Sequence, residues 1–457
     1  MAKTTTVFFC TECGNETSRW QGQCPACRAW NTLAEEPTRR APRDKSRRSS
    51  APQLNGDLSP VRLRDVATSD AHRIRVEIEE FDFVLGGGIV PGSLTLVGGE
   101  PGIGKSTILL QVAARLQAQK LEALYVSGEE SAAQVRMRAD RISDDAASVV
   151  FLAETDIDQI LTHAGKLKPA VLFVDSIQTV HTADLEGAPG NVGQVRECAA
   201  RIQRFAKEHG IAVFIVGHVT KDGSVAGPRT LEHIVDTVLY FEGTSTLDHR
   251  ILRATKNRFG SVDEIGVFRM RSDGLEAVTN PSELFLSERS ESSSGSAVAP
   301  TLEGSRPLLV EVQALCTKTS YGAPQRVATG FDRQRLALLL AVLEKRAGVP
   351  FGQLDVFLNV AGGVRITETA VDLAVAAALL SSALDRDVPA DATFVGELGL
   401  GGELRSVTQL ERRLAEAARM GFTRAFVPER ARVRNGPDSL KLIPITNVKA
   451  LFQELRG

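Results

Sequence analysis

Short apolar runs alternate with amphipathic helical stretches through the middle of the chain. The runs are rich in β-branched residues and read LTLVG, LYVSG, VVFLAE, VLFVD, AVFIVG, TVLYFEG and RILRATK. Continuous apolar runs are typical of strands that are buried on both faces of a parallel sheet, and the stretches between them supply the crossover helices. The pattern predicts an α/β domain of the doubly wound type over residues 61–286.

A second α/β domain is predicted over residues 306–457, where the order of elements changes. The strand-like runs LLVEVQAL and DVFLNVAGG enclose the helix FDRQRLALLLAVLEKRAG, and the helices TAVDLAVAAALLSSAL and LERRLAEAARMG follow. This block has no phosphate-binding loop of its own. Residues 287–305, between the two domains, are rich in Ser and Gly and are predicted to be a linker.

The start of the chain divides into a cysteine-containing module, residues 1–33, and a polar segment, residues 34–60. The segment lacks apolar periodicity and is basic through Arg39, Arg40, Arg43, Lys45, Arg47 and Arg48. This composition predicts a flexible linker. A solubilising tether is the favoured interpretation, and a DNA-binding arm is the alternative.

Composition and charge set broad limits on function. Hydrophobic residues make up 43% of the chain and charged residues 24%, which are ordinary values for globular domains. No apolar run approaches the roughly 18 residues of a membrane span, and the first residues lack the apolar core of a secretory signal. We therefore expect a cytoplasmic protein without a membrane partner. The net charge of −2 gives no indication of DNA binding, so local basic loops would have to supply it.

A phosphate-binding loop follows the first strand of the central domain. The sequence GEPGIGKS fits G-x-x-x-x-G-K-[ST] and lies between a strand-like run and a predicted helix over residues 106–119. Its backbone N–H groups would cradle phosphates, Lys105 would reach the β- and γ-phosphates of ATP, and Ser106 would ligate Mg²⁺. The predicted ATP-binding residues are Gly99, Glu100, Pro101, Gly102, Ile103, Gly104, Lys105, Ser106 and Thr107.

Two acids complete the predicted site for hydrolysis of Mg·ATP. Asp175 ends the apolar run VLFVD, the arrangement in which a Walker B aspartate binds the water shell of Mg²⁺. Glu129 follows the run LYVSG, and a carboxylate there can orient the attacking water. The alternatives are a turn or helix cap for Asp175 and, for Glu129 and Glu130, a favourable charge at the start of the next helix.

Four of the six cysteines form two C-x₂-C knuckles separated by ten residues. Two knuckles at this spacing predict a structural zinc site with the ligands Cys10, Cys13, Cys24 and Cys27. Four protein ligands leave no open position for catalysis. Cys198 and Cys316 lie alone in apolar surroundings and are expected to be buried thiols.

The motifs GEPGIGKST, YVSGEES, VDSIQT and KNRFG together resemble those of the bacterial RadA family, also called Sms, over essentially the whole chain. The resemblance implies a RecA-like ATPase core behind a zinc module, in which Trp20 and Trp30 are expected to pack. The family signature is Lys256, Asn257, Arg258, Phe259 and Gly260.

The family is in turn similar to the DnaB-type helicases, and that similarity assigns roles to three residues. Glu129 falls at the catalytic glutamate of those helicases. Lys256 and Arg258 fall at a pair that acts on the nucleotide of the neighbouring subunit, where a cation neutralises charge on the γ-phosphate. A solvated basic hairpin is the alternative for this pair.

The resemblance also implies two loops that hold DNA in a central pore, over residues 181–194 and 220–230. The predicted DNA contacts are Arg196, Lys221 and Arg229, and mobile surface loops are an equally weighted alternative. His218, at a strand end, would either sense the γ-phosphate or be a structural histidine.

The C-terminal block resembles the proteolytic domain of Lon, but without its Ser-Lys dyad. Ala370 or Val371 falls at the position of the serine and Glu411 falls near the lysine, so the chemistry of nucleophilic catalysis is missing. Ser381 and Ser382 lie too far along the helix to substitute. The resemblance therefore implies an inactive protease fold that is retained for assembly.

Taken as a whole, the resemblance implies a homohexameric, ATP-dependent DNA helicase or branch-migration motor. Such a motor would act on single-stranded and branched DNA with the RecA recombinase, in homologous recombination and DNA repair. A protein remodeller related to Lon and a RecA-like regulatory ATPase of the KaiC type are the alternatives. Stimulation of ATP turnover by DNA separates the motor from both.

Overall fold

The computed structural model describes residues 5–10, 16–17, 19–25, 28–38, 73–218, 231–243, 249–262, 264–286, 294–319 and 322–456. The chain forms two compact units, which divide between Ala277 and Val278. Among the helices in these described ranges, none combines the length and the apolar character needed to span a bilayer.

The cysteine module contains a small antiparallel sheet in the order β2-β1-β3. Its strands are β1 (Thr5–Cys10), β2 (Glu16–Thr17) and β3 (Leu33–Thr38). Cys10, Cys24 and Leu33 are buried together and form its core. The expected packing of the two tryptophans is wrong, since 58% of Trp20 and 70% of Trp30 are exposed. Among the described residues of the module, the buried core contains Cys10, Cys24 and Leu33 and neither indole ring.

A nine-stranded sheet forms the centre of the first unit, in the order β12-β11-β10-β9-β4-β8-β7-β5-β6. Its strands are β4 (Leu94–Gly99), β5 (Ala123–Ser127), β6 (Val150–Ala153), β7 (Val171–Asp175), β8 (Ala212–His218), β9 (Thr237–Glu242), β10 (His249–Asn257), β11 (Ile265–Arg271) and β12 (Gly274–Ala277). The strands from β9 to β6 in this order run parallel, as predicted.

The sheet also has an antiparallel extension that the apolar pattern did not predict. β10, β11 and β12 continue beyond β9 as successive antiparallel neighbours. Only residues 272–273 join β11 to β12. So short a connection permits an antiparallel hairpin but no crossover helix.

Helices cover both faces of the nine-stranded sheet, which confirms the predicted doubly wound architecture. They are α1 (Glu79–Val84), α2 (Lys105–Ala118), α3 (Ala132–Ile142), α4 (Asp144–Ala147), α5 (Ile157–Leu167) and α6 (Val192–His209). On the α2 face, the rings of Phe173 and Phe214 stack with centroids 5.5 Å apart. On the other face, Ile160 of α5 and Ile202 of α6 pack in a separate apolar core. Burial on both faces explains why the strands read as continuous apolar runs.

The second unit contains a seven-stranded sheet in the order β15-β16-β14-β13-β17-β20-β21 and a two-stranded sheet, β18-β19. In chain order the elements are α7 (Pro281–Leu286), β13 (Ser296–Glu303), β14 (Arg306–Lys318), β15 (Arg326–Thr329), α8 (Arg333–Ala347), β16 (Leu354–Val360), α9 (Asp372–Leu384), β17 (Ala392–Phe394), β18 (Glu397–Leu398), β19 (Leu404–Arg405), α10 (Leu410–Arg419), β20 (Arg424–Pro428), β21 (Lys441–Ile445) and α11 (Val448–Arg456).

The predicted linker over residues 287–305 and the predicted domain end at residue 286 both differ from the structure. β13 lies inside the predicted linker, pairs with β14 and β17, and is buried along almost its whole length. Its small Ser and Ala side chains resemble a linker in composition but suit a crowded central strand. α7 packs against β14 in the second unit, where the backbone N–H of Leu309 donates to Ser282 Oγ at 3.1 Å.

Candidate functional site

The candidate nucleotide site lies at the carboxyl edge of the parallel strands. The register places Gly99 of β4 beside His218 of β8, and Ser127 of β5 beside Asp175 of β7. The ends of four strands therefore lie at one edge of the sheet. Crevices at this edge are where open α/β sheets bind ligands.

The phosphate-binding loop connects β4 directly to α2. Gly104 precedes the first residue of α2, Lys105, with a φ of 117°. A Cβ atom on Gly104 would lie 3.1 Å from Leu275 Cδ1 and 3.2 Å from Met270 Cε. Because that φ lies in a region that side chains disfavour, and because these two side chains leave little space, glycine is required here.

Lys105 is buried at the mouth of this loop. Its ammonium donates to the carbonyl oxygens of Gly99 and Glu100, both at 2.9 Å. Burial lowers the pKa of Lys105, while the carboxylates of Asp175 and Glu129 act in the opposite direction. The structure thus brings the three predicted catalytic groups of this edge together.

Tyr125 fixes the position of the Asp175 carboxylate. Its hydroxyl donates to Asp175 Oδ2 at 2.6 Å, and both side chains are buried. Burial raises the pKa of Tyr125 well above its usual value, and Asp175 raises it further, so the phenol remains a donor. The sequence reasoning missed Tyr125. Its only signal was a hydroxyl within the run LYVSG, on the strand that neighbours β7.

The two adjacent acids after β5 have different partners. The Ser176 hydroxyl donates to Glu129 Oε1, whereas Glu130 forms an ion pair with Arg138 of α3. The backbone N–H groups of both acids donate to Ser127 Oγ, at 3.3 and 3.1 Å. Glu129 therefore faces Lys105 and the end of β7, and Glu130 is turned toward α3.

The residues at this edge fit a nucleotide and its magnesium ion. The buried Lys105 ammonium donates to the loop's own carbonyls. Phosphate oxygens can replace these carbonyls as its acceptors. Asp175 would supply an oxygen ligand, the type that Mg²⁺ prefers. Ser106, in the first turn of α2, would be its second protein ligand.

Lys256 and Arg258 lie at the opposite edge of the sheet. Lys256 Nζ donates to the carbonyl oxygens of Glu232 and Val235, at 2.5 and 2.8 Å. Burial lowers its pKa, as does the neighbouring Arg258. Arg258 Nη1 contacts the buried carboxylate of Asp236 at 3.0 Å. Both side chains of the pair therefore have polar partners within their own chain.

The structure describes one of the three predicted DNA contacts. Arg196 is exposed in the first turns of α6, beyond the end of its loop. That loop is fixed by Gln194, whose side chain accepts from Thr182 N at 2.8 Å and donates to the Thr182 and Leu185 carbonyls. Lys221, Arg229 and the loop over residues 220–230 lie outside the described residues, as does the side chain of His218.

The described half of the zinc site fits a metal. Cys10 and Cys24 are both fully buried although they are far apart in sequence. Cys10 ends β1 and is in register with Leu33. Cys13 and Cys27 lie outside the described residues, so among the described side chains no group of three metal-binding residues occurs.

In the second unit, the residues aligned with a protease dyad are structural. Ala370 and Val371 are buried, and the Glu411 carboxylate accepts from the backbone of Arg434 and Asn435. Ser381 and Ser382 are also occupied: Ser381 Oγ accepts from Gly295 N at 2.8 Å, and Ser382 Oγ accepts from Cys316 N at 2.9 Å.

Three family models match separate parts of the chain. A model described as an AAA domain matches residues 58–224, a rubredoxin metal binding domain matches residues 8–35, and the ChlI subunit of Mg-chelatase matches residues 323–431. The first match lies in the ATPase core, the second in the cysteine module that precedes it, and the third in the α/β domain that follows it.

Several curated proteins are similar to the chain over nearly its whole length. DNA repair protein RadA of Bacillus subtilis is 49% identical over 462 residues, which cover 100% of both chains. DNA repair protein RadA of Listeria monocytogenes is 48% identical over 430 residues, which cover 94% of this chain and 93% of the other. A solved structure, the crystal structure of the RadB recombinase, shares 23% identity with a TM-score of 0.36 and covers 45% of this chain and 99% of its own.

Proposed function

The chain belongs to the family of DNA repair protein RadA, and we propose that it is an ATP-driven DNA motor of recombination and repair. Membership of this ATPase family gives it ATP and Mg²⁺ as cofactors, and the zinc module adds Zn²⁺. The motor moves branched recombination intermediates as a homohexameric ring in the cytoplasm, with single-stranded and branched DNA and the RecA recombinase as partners.

One observation carries this proposal: the cation pair and the phosphate-binding loop lie at opposite edges of one sheet. Arg258 N donates to the Asp236 carbonyl, and Asp236 N donates to the Leu94 carbonyl at the start of β4. The loop begins at the other end of β4, at Gly99. Five residue steps along a strand correspond to about 16 Å. Arg258 is therefore too far from the nucleotide of its own chain, which favours action on a neighbouring subunit.

The proposed chemistry assigns each group one role. Magnesium, when bound, would neutralise charge that develops on the phosphates during hydrolysis. Lys105 holds the phosphates, and Ser106 and Asp175 hold the metal. Glu129 orients the attacking water and accepts its proton. Lys256 and Arg258 of the next subunit stabilise the transition state, so hydrolysis depends on assembly.

Contacts with DNA are assigned to individual cations, one at the start of a helix and two in a predicted loop. Arg196 is exposed at the start of α6, and Lys221 and Arg229 complete the proposed set of backbone contacts. The second unit is proposed to serve assembly without proteolysis, because the buried Ala370 and Val371 offer no nucleophile.

The decisive experiment measures ATP turnover with and without single-stranded DNA. The wild-type protein should be stimulated by DNA. Lys105→Ala should lose nearly all turnover while it still assembles. Lys256→Ala should bind nucleotide normally yet lose about 10³-fold in stimulated turnover, because the pair acts mainly on the transition state. Absence of DNA stimulation would favour a protein remodeller or a regulatory ATPase.

Mixing the two inactive variants tests action between subunits. Some interfaces in a mixed ring pair an intact loop from Lys256→Ala with an intact cation pair from Lys105→Ala, so turnover should return. The control mixes Lys105→Ala with Lys105→Gly, in which no interface contains an intact loop. If mixed rings are shown to form and recover no turnover at any ratio, action on the neighbouring subunit is wrong.

A further inference from the structure

The turn that carries Arg258 is tied to a glycine turn far away in sequence. Arg73 joins the two: its Nη1 donates to the carbonyl oxygens of Leu85 at 2.9 Å and Gly88 at 3.4 Å, and its Nη2 donates to the Phe259 carbonyl. One guanidinium thus holds the backbone of both turns. We call Arg73 with these three carbonyls the Arg73 clamp.

The two turns also touch directly. A Cβ atom on Gly86 would lie 3.4 Å from the Cα of Gly260, so the backbones meet without intervening side chains. Asn257 Nδ2 donates to the Leu85 carbonyl at 3.4 Å, and its Oδ1 accepts from Phe259 N at 3.0 Å. The asparagine and the final glycine of the KNRFG sequence are therefore explained by this contact and not by the nucleotide.

The clamp holds the hairpin at a second point, in addition to the Asp236 contact. Asp236 fixes the guanidinium of Arg258, while the Arg73 clamp fixes the carbonyl of the next residue, Phe259. With both contacts in place, the turn has little freedom to shift. Phe259 itself is 38% exposed at the surface.

We propose that Arg73 is a positioning residue, which sets the hairpin so that Lys256 and Arg258 reach the nucleotide of the neighbouring subunit. The inference rests on the proposed action between subunits. Arginine suits the task because its planar fork donates in several fixed directions, whereas lysine is a single flexible point charge. A displacement of about 1 Å in a catalytic group can cost on the order of 10²-fold in rate.

The first test compares Arg73→Ala and Arg73→Lys with Arg75→Ala. Arg75 is a matched control. It lies two residues further along the chain and is exposed, and its replacement by alanine removes the same charge. Arg73→Ala should bind ATP with unchanged affinity and lose roughly 10- to 100-fold in DNA-stimulated kcat. Arg73→Lys should fall between Arg73→Ala and wild type, and Arg75→Ala should match wild type. Unchanged kcat in Arg73→Ala overturns the inference.

The second test asks which inactive variant restores turnover when it is mixed with Arg73→Ala. Mixed with Lys105→Ala, the Arg73→Ala protein should regain turnover, because its intact loop meets an intact cation pair. Mixed with Lys256→Ala, it should regain none, because neither protein supplies a working pair. A purely structural defect in Arg73→Ala would give the same turnover in both mixtures. That result would overturn the inference. If Arg73→Ala does not fold, Arg73→Lys undergoes the same two mixtures.

The two proposals fail in different ways. If Lys256→Ala and Lys105→Ala do not complement each other, action between subunits is wrong. If they do complement and Arg73→Ala has wild-type kcat, the proposed motor stands and only the positioning role of Arg73 is lost.

Discussion

The guanidinium of Arg258 lies 3.0 Å from Oδ1 of Asp236, while Oδ2 of the same carboxylate accepts from the backbone N–H of Leu94 at 3.1 Å. Asp236 is almost fully buried, whereas about half of the Arg258 side chain is exposed. One buried acid thus connects the cation pair to the first residue of β4, the strand that ends in the phosphate-binding loop. No sequence motif indicated Asp236.

Replacing Asp236 with Asn should separate charge from hydrogen bonding. The amide oxygen can still accept from Leu94 N, but Arg258 loses its ionic partner. We expect a loss of about 1–3 kcal/mol in the free energy of unfolding, since the acid is buried. Nucleotide affinity should be unchanged and DNA-stimulated turnover about tenfold lower, as for a misplaced catalytic group.

Denaturant titration and ATPase kinetics check this prediction. Glu276→Gln is the control, because it removes an acid from an exposed pair with Arg271 on the neighbouring strand, and exposed pairs contribute little. Wild-type kcat in Asp236→Asn would show that Arg258 needs no support from this acid.

The two acids that follow β5 should differ sharply in a pair of matched variants. Glu129→Gln should lose turnover by about 10²- to 10⁴-fold, the usual contribution of a general base. Glu130→Gln removes only the partner of Arg138 and should stay within a few-fold of wild type. Single-turnover hydrolysis with saturating ATP separates these effects from binding. Equal losses of turnover in both variants would contradict the assignment of the general base to Glu129 alone.

The sequence predicted the nucleotide edge better than the surroundings of the cation pair, and the reason is physical. Asp175 ends an apolar run, Glu129 follows one directly, and Lys105 lies in the loop after a third. The carboxyl ends of parallel strands lie at the same edge of a sheet. Arg73 and Phe259 are separated by 186 residues, and the link is a side chain to a backbone carbonyl. Such a contact leaves no pattern in either segment.

The errors in the predicted domains have a similar origin. Local composition classified the small residues of Ser296–Glu303 as a linker, yet β13 is defined by its partners β14 and β17. Trp20 and Trp30 were expected to pack in the zinc module because its core is so small. Among the described residues of this module, Cys10, Cys24 and Leu33 form the buried core instead.

Removal of zinc should unfold the cysteine module. We expect about one zinc per chain, held by a closed set of four thiolates, and folding of the module should depend on it. Cys10→Ser should release the metal, because it replaces one of the four thiolate ligands with a hydroxyl. Metal analysis of the purified protein and limited proteolysis check this. Cys316→Ser, a thiol outside the module, is the control, and purified protein without zinc would refute the prediction.

The two remaining thiols should be nearly inert in the folded protein. Burial in the core between α6 and the sheet raises the pKa of Cys198 to about 12. Burial likewise raises the pKa of Cys316 to about 11, although this residue is only half-buried. Since the thiolate is the reactive form, alkylation of Cys198 at pH 8 should be about a thousandfold slower than for a free cysteine with its ordinary pKa near 8.5.

Mass spectrometry after timed alkylation checks this order of reactivity. Cys316 should react before Cys198, and both should react at ordinary rates in denaturant, which serves as the control for reagent access. A zinc chelator should add labels at Cys10, Cys13, Cys24 and Cys27 while Cys198 stays unmodified, because its protection comes from apolar packing and not from metal. Rapid labelling of Cys198 in the native protein would mean that α6 opens from the sheet far more often than its buried apolar face implies.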